Sequence, residues 1–427
     1  MSKLLNNKAI STTYAAILVI ILILAGIGGF YLYSTSQEAG RKIKLGAPLG
    51  FTGNYASLAE DSKDAINMAV EEINYAGGIL GHEVEVYFED IENLESGTVS
   101  SVFTKLCTRE KVDFIMTHFG NPAGSEYAIV EEYDVPYISS GFIMTADAVV
   151  GKDPDAYPYT FFGLPSYSLY QTEFPEFVKK LIDEGTWKPI NNKFCVIKRQ
   201  NDYSLYIADG QKERFLAMGW ELTFEELFPE AQVEDWSSVL AKIRSDPPAI
   251  IIDTMWTSST DALFLEQFLA DPTPSLVYMQ ASPTYPDFQE ATGKKADGVL
   301  HVYGIKKVAS TDPYIIKFND KFGRKPSPYG IVMYDQVYVM KQAMERAGDP
   351  FDKEAVAKAL METDYTGVLG RYAREPTAHL VKGGGAYIPF PTFQMWDSEN
   401  YMIYPPEIQE SEFKMPPWYE EGLRKYS

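Results

Sequence analysis

Short apolar segments alternate with amphipathic helical segments along most of this 427-residue chain, and this alternation limits the possible folds more than any other feature. In the first block, strands are predicted at 43–48, 84–90, 113–117 and 135–139. Helices with one apolar face are predicted at 61–75, 99–109 and 125–133. Strand–helix–strand repeats of this length indicate an α/β fold with a parallel, doubly wound sheet.

A segment rich in Pro, Gly and Tyr at 151–167 ends the first block, and a similar block follows. Its predicted strands are 193–198, 220–224, 249–254 and 276–280, and its predicted helices are 171–184, 205–218, 236–245 and 261–270. After a second break at 281–286, a strand at 298–303 and helices at 313–322, 331–347 and 353–362 are predicted. Open α/β units bind ligands at the carboxyl ends of their strands. Two such units facing each other predict a hinge-closing binding protein.

The N-terminus has a different composition. Residues 15–33 are apolar almost throughout, and nineteen residues of helix span roughly 28 Å, enough to cross the hydrocarbon core of a bilayer. Lys3 and Lys8 precede this run, which places the N-terminus in the cytoplasm and the body outside the cell. We therefore predict that residues 1–40 form a single-pass membrane anchor and linker. A cleaved signal peptide is the alternative, and a pilin-like signal cut after Ala9 would leave the apolar helix in place.

Charge and motif content exclude several functions. The formal net charge of −21 argues against nucleic acid or an anionic lipid surface as partner. Two cysteines, Cys107 and Cys195, form no disulfide framework or zinc pattern and are interpreted as small buried hydrophobes. Four scattered histidines, no phosphate-binding glycine loop and no nucleophile–base set predict neither a metal, a cofactor nor an enzyme.

Two segments carry a family resemblance. The segment GAPLGFTGNYA at 46–56 resembles the P-x-(S/T)-G-x-x-A loop of type I periplasmic binding proteins. The segment AVEEINYAGGILG at 69–81 resembles their A-V-x-x-I-N-x-x-G-G-I-x-G helix and turn. Both belong to the branched-chain amino acid/amide group of ABC-importer receptors. Weaker matches follow in family order over residues 43 to about 396: Asp90, the segment VPYIS at 135–139, DWS at 235–237 and Tyr334-Asp335.

The resemblance implies two Rossmann-like lobes joined by three crossings. The breaks near 160–167 and 281–286 coincide with the first two crossings, and the third is expected near 360–390. We therefore assign residues 41–163 and 283–362 to lobe 1, and 164–282 and 363–400 to lobe 2. Residues 401–427 are interpreted as a C-terminal extension that wraps one lobe. The implied function is capture of a small polar solute outside the membrane and delivery to an ABC permease.

The resemblance also indicates which residues contact the ligand. Lobe 1 would contribute the loop after its first strand, the turn after strand 113–117, which suits a carboxylate at a helix N-terminus, and the turn after strand 135–139. Lobe 2 would contribute an aromatic side chain near 203 and the end of strand 249–254, where Trp256 can stack on a flat or cationic group. The predicted residues are Thr52, Asn54, Tyr55, Phe119, Asn121, Ser140, Gly141, Phe142, Tyr203, Asp253, Met255 and Trp256.

One departure from the family concerns the ligand. Amino-acid binders of this family place an acid a few residues past strand 249–254, to meet the substrate ammonium. Here the stretch is Thr-Ser-Ser-Thr at 257–260, and an ammonium buried without a partner is unfavourable by several kcal/mol. An amino acid is therefore expected only if Asp253 or Asp261 substitutes, and an amide, a urea-like compound or an uncharged aromatic fits equally well. A ligand-sensing ectodomain of the same fold is the rival function; the few residues before the apolar run favour the receptor.

Overall fold

The computed structural model describes residues 40–53, 55–141, 143–229 and 233–426. Residues 1–39 of the predicted anchor, with the cleavage site after Ala9, lie outside the described residues. Within the described ranges, no helix combines the length and the apolar character that a bilayer span requires.

The first sheet contains five parallel strands in the order β2-β1-β3-β4-β5. They are β1 Ile43–Leu49, β2 Val84–Asp90, β3 Phe114–Thr117, β4 Tyr137–Ser139 and β5 Thr160–Phe162. The first four are at the predicted places. The fifth lies in the segment interpreted as a loop, because three fully buried residues show no alternation of polar and apolar side chains.

Helices cover this sheet: α1 Ala56–Tyr75, α2 Ser96–Lys105, α3 Tyr127–Glu132 and α4 Met144–Ala148. One turn of π-helix, Leu106–Glu110, extends α2. The thiol of Cys107 is free and buried, as predicted, and so is that of Cys195 in the second lobe.

The second lobe repeats the strand–helix alternation. Its parallel strands are β6 Lys193–Arg199, β7 Glu221–Phe228, β8 Ile250–Asp253, β9 Leu276–Met279 and β10 Leu300–Val302. Its helices are α5 Leu169–Asp183, α6 Asp202–Ala217, α7 Ser237–Ser245, α8 Ser258–Leu269 and α9 Pro286–Thr292.

The chain then returns to the first lobe with α10 Pro313–Phe322, α11 Pro328–Ala347, α12 Lys353–Met361 and a hairpin of β11 Asp364–Thr366 and β12 Arg371–Ala373. Helix α11 packs along α1, where the Glu72 carboxylate accepts hydrogen bonds from the Tyr334 hydroxyl at 2.8 Å and the Tyr338 hydroxyl at 2.7 Å. These contacts hold α11, and with it the loop that precedes α11, against α1.

Two last strands complete the second sheet, β13 Thr392–Trp396 and β14 Glu399–Tyr404, and α13 Tyr419–Tyr426 follows. The order is β14-β13-β10-β9-β8-β6-β7, with β13 and β14 antiparallel to their neighbours. The tail packs on this lobe: the Trp418 indole donates to the Ser275 carbonyl at 3.0 Å, and the Trp187 indole to the Tyr419 hydroxyl at 3.0 Å.

Strand pairing corrects the predicted division into lobes. The assignment of 283–362 to lobe 1 is wrong for α9 and β10, because β10 pairs with β9 and β13. The segment 281–286 resembled a connector because of its Pro and Tyr residues, but Pro286 is the first residue of α9, where proline suits a helix. The second connection therefore follows β10, at 303–312.

The predicted assignment of 363–400 to lobe 2 is also wrong for the β11–β12 hairpin. The Arg374 guanidinium donates to the Phe162 carbonyl of β5, and a His379 ring nitrogen contacts the Thr160 carbonyl at 3.0 Å. The third connection therefore lies at about 382–391. Strand β14 likewise crosses the predicted start of the C-terminal extension at residue 401.

A buried carboxylate attaches the hairpin to the first lobe. Asp335 of α11 accepts hydrogen bonds from the Val368 amide at 2.9 Å, the Leu369 amide at 3.0 Å and the Tyr372 hydroxyl at 3.0 Å. A Cβ on Gly367 would lie 2.5 Å from the Asp335 carboxyl carbon, so only glycine allows this approach. Asp335 therefore holds the loop of the hairpin in place.

A second buried carboxylate holds the turn after β3. Glu126 accepts hydrogen bonds from the Asn121 amide at 3.2 Å and the Tyr137 hydroxyl at 2.9 Å, through one oxygen. Its other oxygen is buried without a hydrogen-bond partner. Burial raises the pKa of Glu126 from its ordinary value to about 7.

Replacement of Asp335 should destabilise the chain strongly. In Asp335→Ala, two backbone amides and one hydroxyl lose their acceptor inside the protein, and we expect unfolding to become easier by about 3 kcal/mol or more in urea titrations. Asp335→Asn retains one acceptor oxygen and should cost less. Glu345→Ala, which removes a surface ion pair on the same helix, is the control and should cost below about 1 kcal/mol. An Asp335→Ala protein as stable as this control would contradict the role of the carboxylate.

Glu126 should make stability depend on pH. Because its folded-state pKa lies above its unfolded value, the native state binds the extra proton, and stability falls as pH rises from about 4.5 to about 7. Glu126→Gln lacks this loss, so its stability relative to wild type should improve between pH 5 and pH 8, by at most about 3 kcal/mol. Urea unfolding of both proteins at the two pH values measures the difference. A constant difference would show that Glu126 does not titrate in this range.

Candidate functional site

The carboxyl ends of the parallel strands in both sheets open onto one cavity of about 1060 Å³ between the lobes. The first lobe contributes the start of α1, the residue after His118 and the loop before α11. The second lobe contributes the segments that follow β6, β8, β9 and β10. This position corresponds to the ligand crevice of open α/β sheets.

Aromatic side chains dominate the walls of the cavity, and the set is Tyr55, Phe119, Tyr167, Tyr170, Tyr203, Trp256, Tyr285, Tyr303 and Tyr329. On the first-lobe side, the Phe119 ring lies 5.2 Å from Tyr55 and 4.5 Å from Tyr329, edge to face. On the opposite side, the Tyr203 ring lies 5.7 Å from Trp256, also edge to face. The walls therefore offer apolar ring surface with hydroxyl groups at the ring edges.

Two tyrosine hydroxyls in the cavity accept a hydrogen bond from an N–H group of the protein. The Tyr170 hydroxyl accepts from the Gly304 amide at 3.0 Å, and the Tyr203 hydroxyl from the Gln280 side-chain amide at 2.8 Å. Burial raises the pKa of Tyr170 and Tyr203 well above its ordinary value, so both hydroxyls keep their protons. A hydroxyl that accepts from the protein retains its own proton to donate.

Trp256 follows β8 in a strained conformation. Its φ is +49°, in the left-handed region that a bulky residue rarely adopts, and its indole nitrogen is buried without a hydrogen-bond partner. Local strain of this kind is concentrated at functional sites, because the surrounding structure must hold the residue in place. In this backbone conformation the Trp256 indole lies on the wall of the cavity.

The charged residues of the cavity wall are paired or exposed. Asp61 contacts the Arg324 guanidinium and accepts from the Ser327 amide, and Arg324 also contacts Asp64 at 2.6 Å. Glu60 pairs with Lys63 at 2.6 Å. The remaining two, Asp287 and Lys325, are exposed to solvent. Among the described residues, the wall therefore offers no buried charge that lacks a partner.

Two carboxyl groups lie behind the second-lobe wall. Asp253 and Asp261 are fully buried; the Met255 amide donates to Asp253 at 2.9 Å, and the Ser282 hydroxyl donates to Asp261. Burial raises the pKa of both carboxyl groups above the ordinary value, and the nearby Asp253 raises that of Asp261 further. Neither residue reaches the cavity wall.

The turn after β3 is closed toward the cavity. Asn121 is buried: its side chain donates to the Leu94 carbonyl at 2.7 Å and accepts from the Ala123 amide at 2.9 Å. Its own amide donates to Glu126. The Phe119 ring covers the neighbouring turn so closely that a Cβ on Gly141 would lie 2.3 Å from it. Phe119 thus forms the cavity wall in front of the turn that contains Gly141.

Four of the predicted site residues line the cavity: Tyr55, Phe119, Tyr203 and Trp256. Thr52 is exposed, and its hydroxyl donates to Asp90 at 2.8 Å. The structure places five others in the interior behind the wall: Asn121, Ser140, Gly141, Asp253 and Met255. Asn54 and Phe142 lie outside the described residues.

Five aromatic wall residues were not predicted: Tyr167, Tyr170, Tyr285, Tyr303 and Tyr329. Tyr167 and Tyr285 lie in the two breaks, and Tyr303 follows β10 directly. The sequence signal that could have identified these residues is a tyrosine just after a parallel strand or within a break. Across the described part of the chain, no cluster of His, Cys, Asp and Glu side chains could hold a metal ion.

The sequence of this chain is similar to that of proteins of known family. The model of the periplasmic binding protein family matches residues 42–386. Leu/Ile/Val-binding protein homolog 8 of Brucella suis is 23% identical over 349 residues, which are 79% of this chain and 84% of that protein.

Two solved structures have the same architecture. A chain from Silicibacter pomeroyi, assigned to a branched-chain amino acid ABC transporter, gives a TM-score of 0.84 at 27% identity, covering 88% of this chain and 100% of its own. The substrate-binding protein LivJ of Streptococcus pneumoniae, in complex with isoleucine, gives 0.66 at 20% identity, covering 84% and 98%. The chain therefore belongs to the periplasmic binding protein family, as a two-lobed type I member.

Proposed function

We propose that this chain is an extracytoplasmic receptor that captures a small polar solute in the cleft and delivers it to the permease of an ABC importer. The observation that carries the proposal is the cavity of about 1060 Å³, which both lobes line. A ligand that contacts both walls binds the closed form more tightly than the open form, and this difference drives closure. Such a cycle needs no catalytic group.

The two lobes contribute different contacts. Tyr55, Phe119 and Tyr329 belong to the first lobe, and Tyr203 and Trp256 to the second. Three connections, at 163–168, 303–312 and about 382–391, allow one lobe to rotate over the other. This arrangement supports a mechanism in which one wall binds the solute first and the other wall then covers it.

The names of the relatives indicate branched-chain amino acids as one possible class of solute. The Brucella suis relative is called a Leu/Ile/Val-binding protein homolog, and the Streptococcus pneumoniae protein binds isoleucine. The aromatic walls can accommodate an apolar side chain, but amides, urea-like compounds and aromatic compounds also fit them.

We also propose that residues 15–33 anchor the receptor in the cell membrane. Their sequence is apolar and uncharged, and two lysines precede it. An anchored receptor stays near its permease, which raises the rate of their encounter.

A ligand screen tests the receptor function. Amino acids, amides, ureas, short peptides and aromatic acids are each added to the full-length chain, and the melting temperature is measured. A solute that binds only the native state should raise it, because stability increases by RT ln(1 + [L]/Kd). If no member of this panel stabilises the chain at millimolar concentration, the receptor proposal fails.

The variant Trp256→Ala should weaken any solute found in this screen at least about tenfold, because it removes a large part of one wall. Trp396→Ala is the control, since this ring lies outside the cavity and stacks under Lys414 at 4.9 Å. Titration calorimetry measures both dissociation constants. An unchanged constant in Trp256→Ala would remove this residue from the site.

The anchor is tested by fractionation. The full chain should remain in the membrane fraction after washing with high salt and alkaline carbonate, whereas a chain without residues 1–40 should be released. A full-length variant with Leu22→Arg and Leu24→Arg should also be released, because two charges in the apolar run oppose insertion. Equal retention of all three proteins would show that residues 15–33 are not the anchor.

A further inference from the structure

The chemical class of the solute can be narrowed beyond the proposed receptor function, on which this inference rests. A zwitterionic α-amino acid needs an acidic partner for its ammonium group and a cluster of donors or a base for its carboxylate. On the described walls of the cleft, Asp287 and Lys325 are exposed to solvent, and the other charged residues are paired within the protein.

The described wall has no buried acid that lacks a partner, and its remaining acid, Asp287, is exposed to solvent. After β8, the wall presents Ser258 and Ser259 and no acidic side chain. The nearest candidates, Asp253 and Asp261, are fully buried behind it, and the Asp261 carboxyl accepts from Ser282. Asp61 does reach the wall, but the Arg324 guanidinium neutralises it.

The carboxylate partner is also blocked. At the turn after β3, the Asn121 amide donates to the protein's own Glu126 carboxylate at 3.2 Å, and the Asn121 side chain bonds to Leu94 and Ala123. The Phe119 ring lies against Gly141 of the neighbouring turn. The described wall has two basic residues. Arg324 is paired with two aspartates, and Lys325 is exposed to solvent.

The wall instead offers neutral donors next to ring faces. The Tyr170 and Tyr203 hydroxyls each accept a hydrogen bond from a protein N–H group and also hydrogen-bond to each other, which leaves the pair one proton to donate. This proton needs an acceptor oxygen on the ligand. The surrounding rings suit a flat or apolar body.

We propose that the cleft selects an uncharged solute that joins a carbonyl oxygen of the amide or urea type to an apolar or aromatic body, and that it discriminates against α-amino acids. The carbonyl accepts a hydrogen bond from this pair of tyrosine hydroxyls, and the body packs between Phe119, Tyr329 and Trp256. An ionised group held between these rings, away from the exposed Asp287 and Lys325, would be buried without a partner.

Two matched series of compounds test this selection on the full-length chain by titration calorimetry. The first is isocaproamide, isocaproate, isohexylamine and L-leucine; the second is hydrocinnamamide, hydrocinnamate, phenylpropylamine and L-phenylalanine. Within each series the carbon skeleton is nearly constant and the charge changes. We expect the amide to bind at least tenfold more tightly than each ionised member in at least one series.

Tightest binding by an amino acid, a carboxylate or an amine overturns the inference but leaves the receptor function standing. Equal affinities within each series, or no binding by any of the eight compounds, overturn it as well. The broader ligand screen decides the receptor function separately, because it includes solutes outside these two series.

A conservative variant tests the hydroxyl donor. Tyr203→Phe keeps the ring and removes the hydroxyl, so the amide should bind about three- to tenfold more weakly. Tyr206→Phe, in the same helix but outside the cavity wall, should leave affinity unchanged. Circular dichroism confirms that both variants fold. An unchanged amide affinity in Tyr203→Phe, with normal folding, overturns the proposed hydrogen bond.

Discussion

In a parallel sheet every strand ends at the same edge, and in this chain both sheets turn that edge toward one cavity. The segments after β3, β6, β8, β9 and β10 therefore meet, although they are far apart in sequence. The two antiparallel strands, β13 and β14, lie at the far edge of the second sheet and contribute nothing to the wall. Parallel pairing thus decides which residues can become the site, and the connections between the lobes decide how far apart the walls stand.

Much of this fold could be predicted from periodicity, and the failures have physical causes. Long amphipathic helices such as α1 and α11 and four-residue apolar strands such as β8 give clear patterns. The strand β5 does not, because three buried residues cannot show a period. The segment 281–286 was misassigned because Pro and Tyr residues occur both at helix starts and in connectors. Only the pairing of β10 with β9 and β13, a long-range contact, distinguishes these two cases.

The site was predictable where a residue follows a strand directly. Tyr203 and Trp256 were predicted from the family resemblance, and both lie just beyond the ends of β6 and β8, where the segments line the cleft. Tyr167 belongs to the first connection between the lobes and Tyr329 to the first turn of α11, and the fold brings their hydroxyls within 3.5 Å of each other. Asn121 shows the opposite error. It occupies a position that suits ligand contact, yet its side chain satisfies the backbone of its own turn, as asparagine commonly does.

The distribution of acidic groups links the fold to the chemistry of the cleft. The chain carries a formal net charge of −21, yet three carboxylates of the first lobe serve the structure of the protein itself. Glu126 holds the turn after β3, Asp335 holds the hairpin, and Asp61 is paired with Arg324. A carboxylate that anchors a loop is not available to a ligand ammonium. The backbone amide that donates to this carboxylate is likewise not available to a ligand carboxylate. The described walls are left with rings, hydroxyls and the exposed Asp287 and Lys325, so the interactions that fix the loops also remove buried, unpaired charge from the cleft.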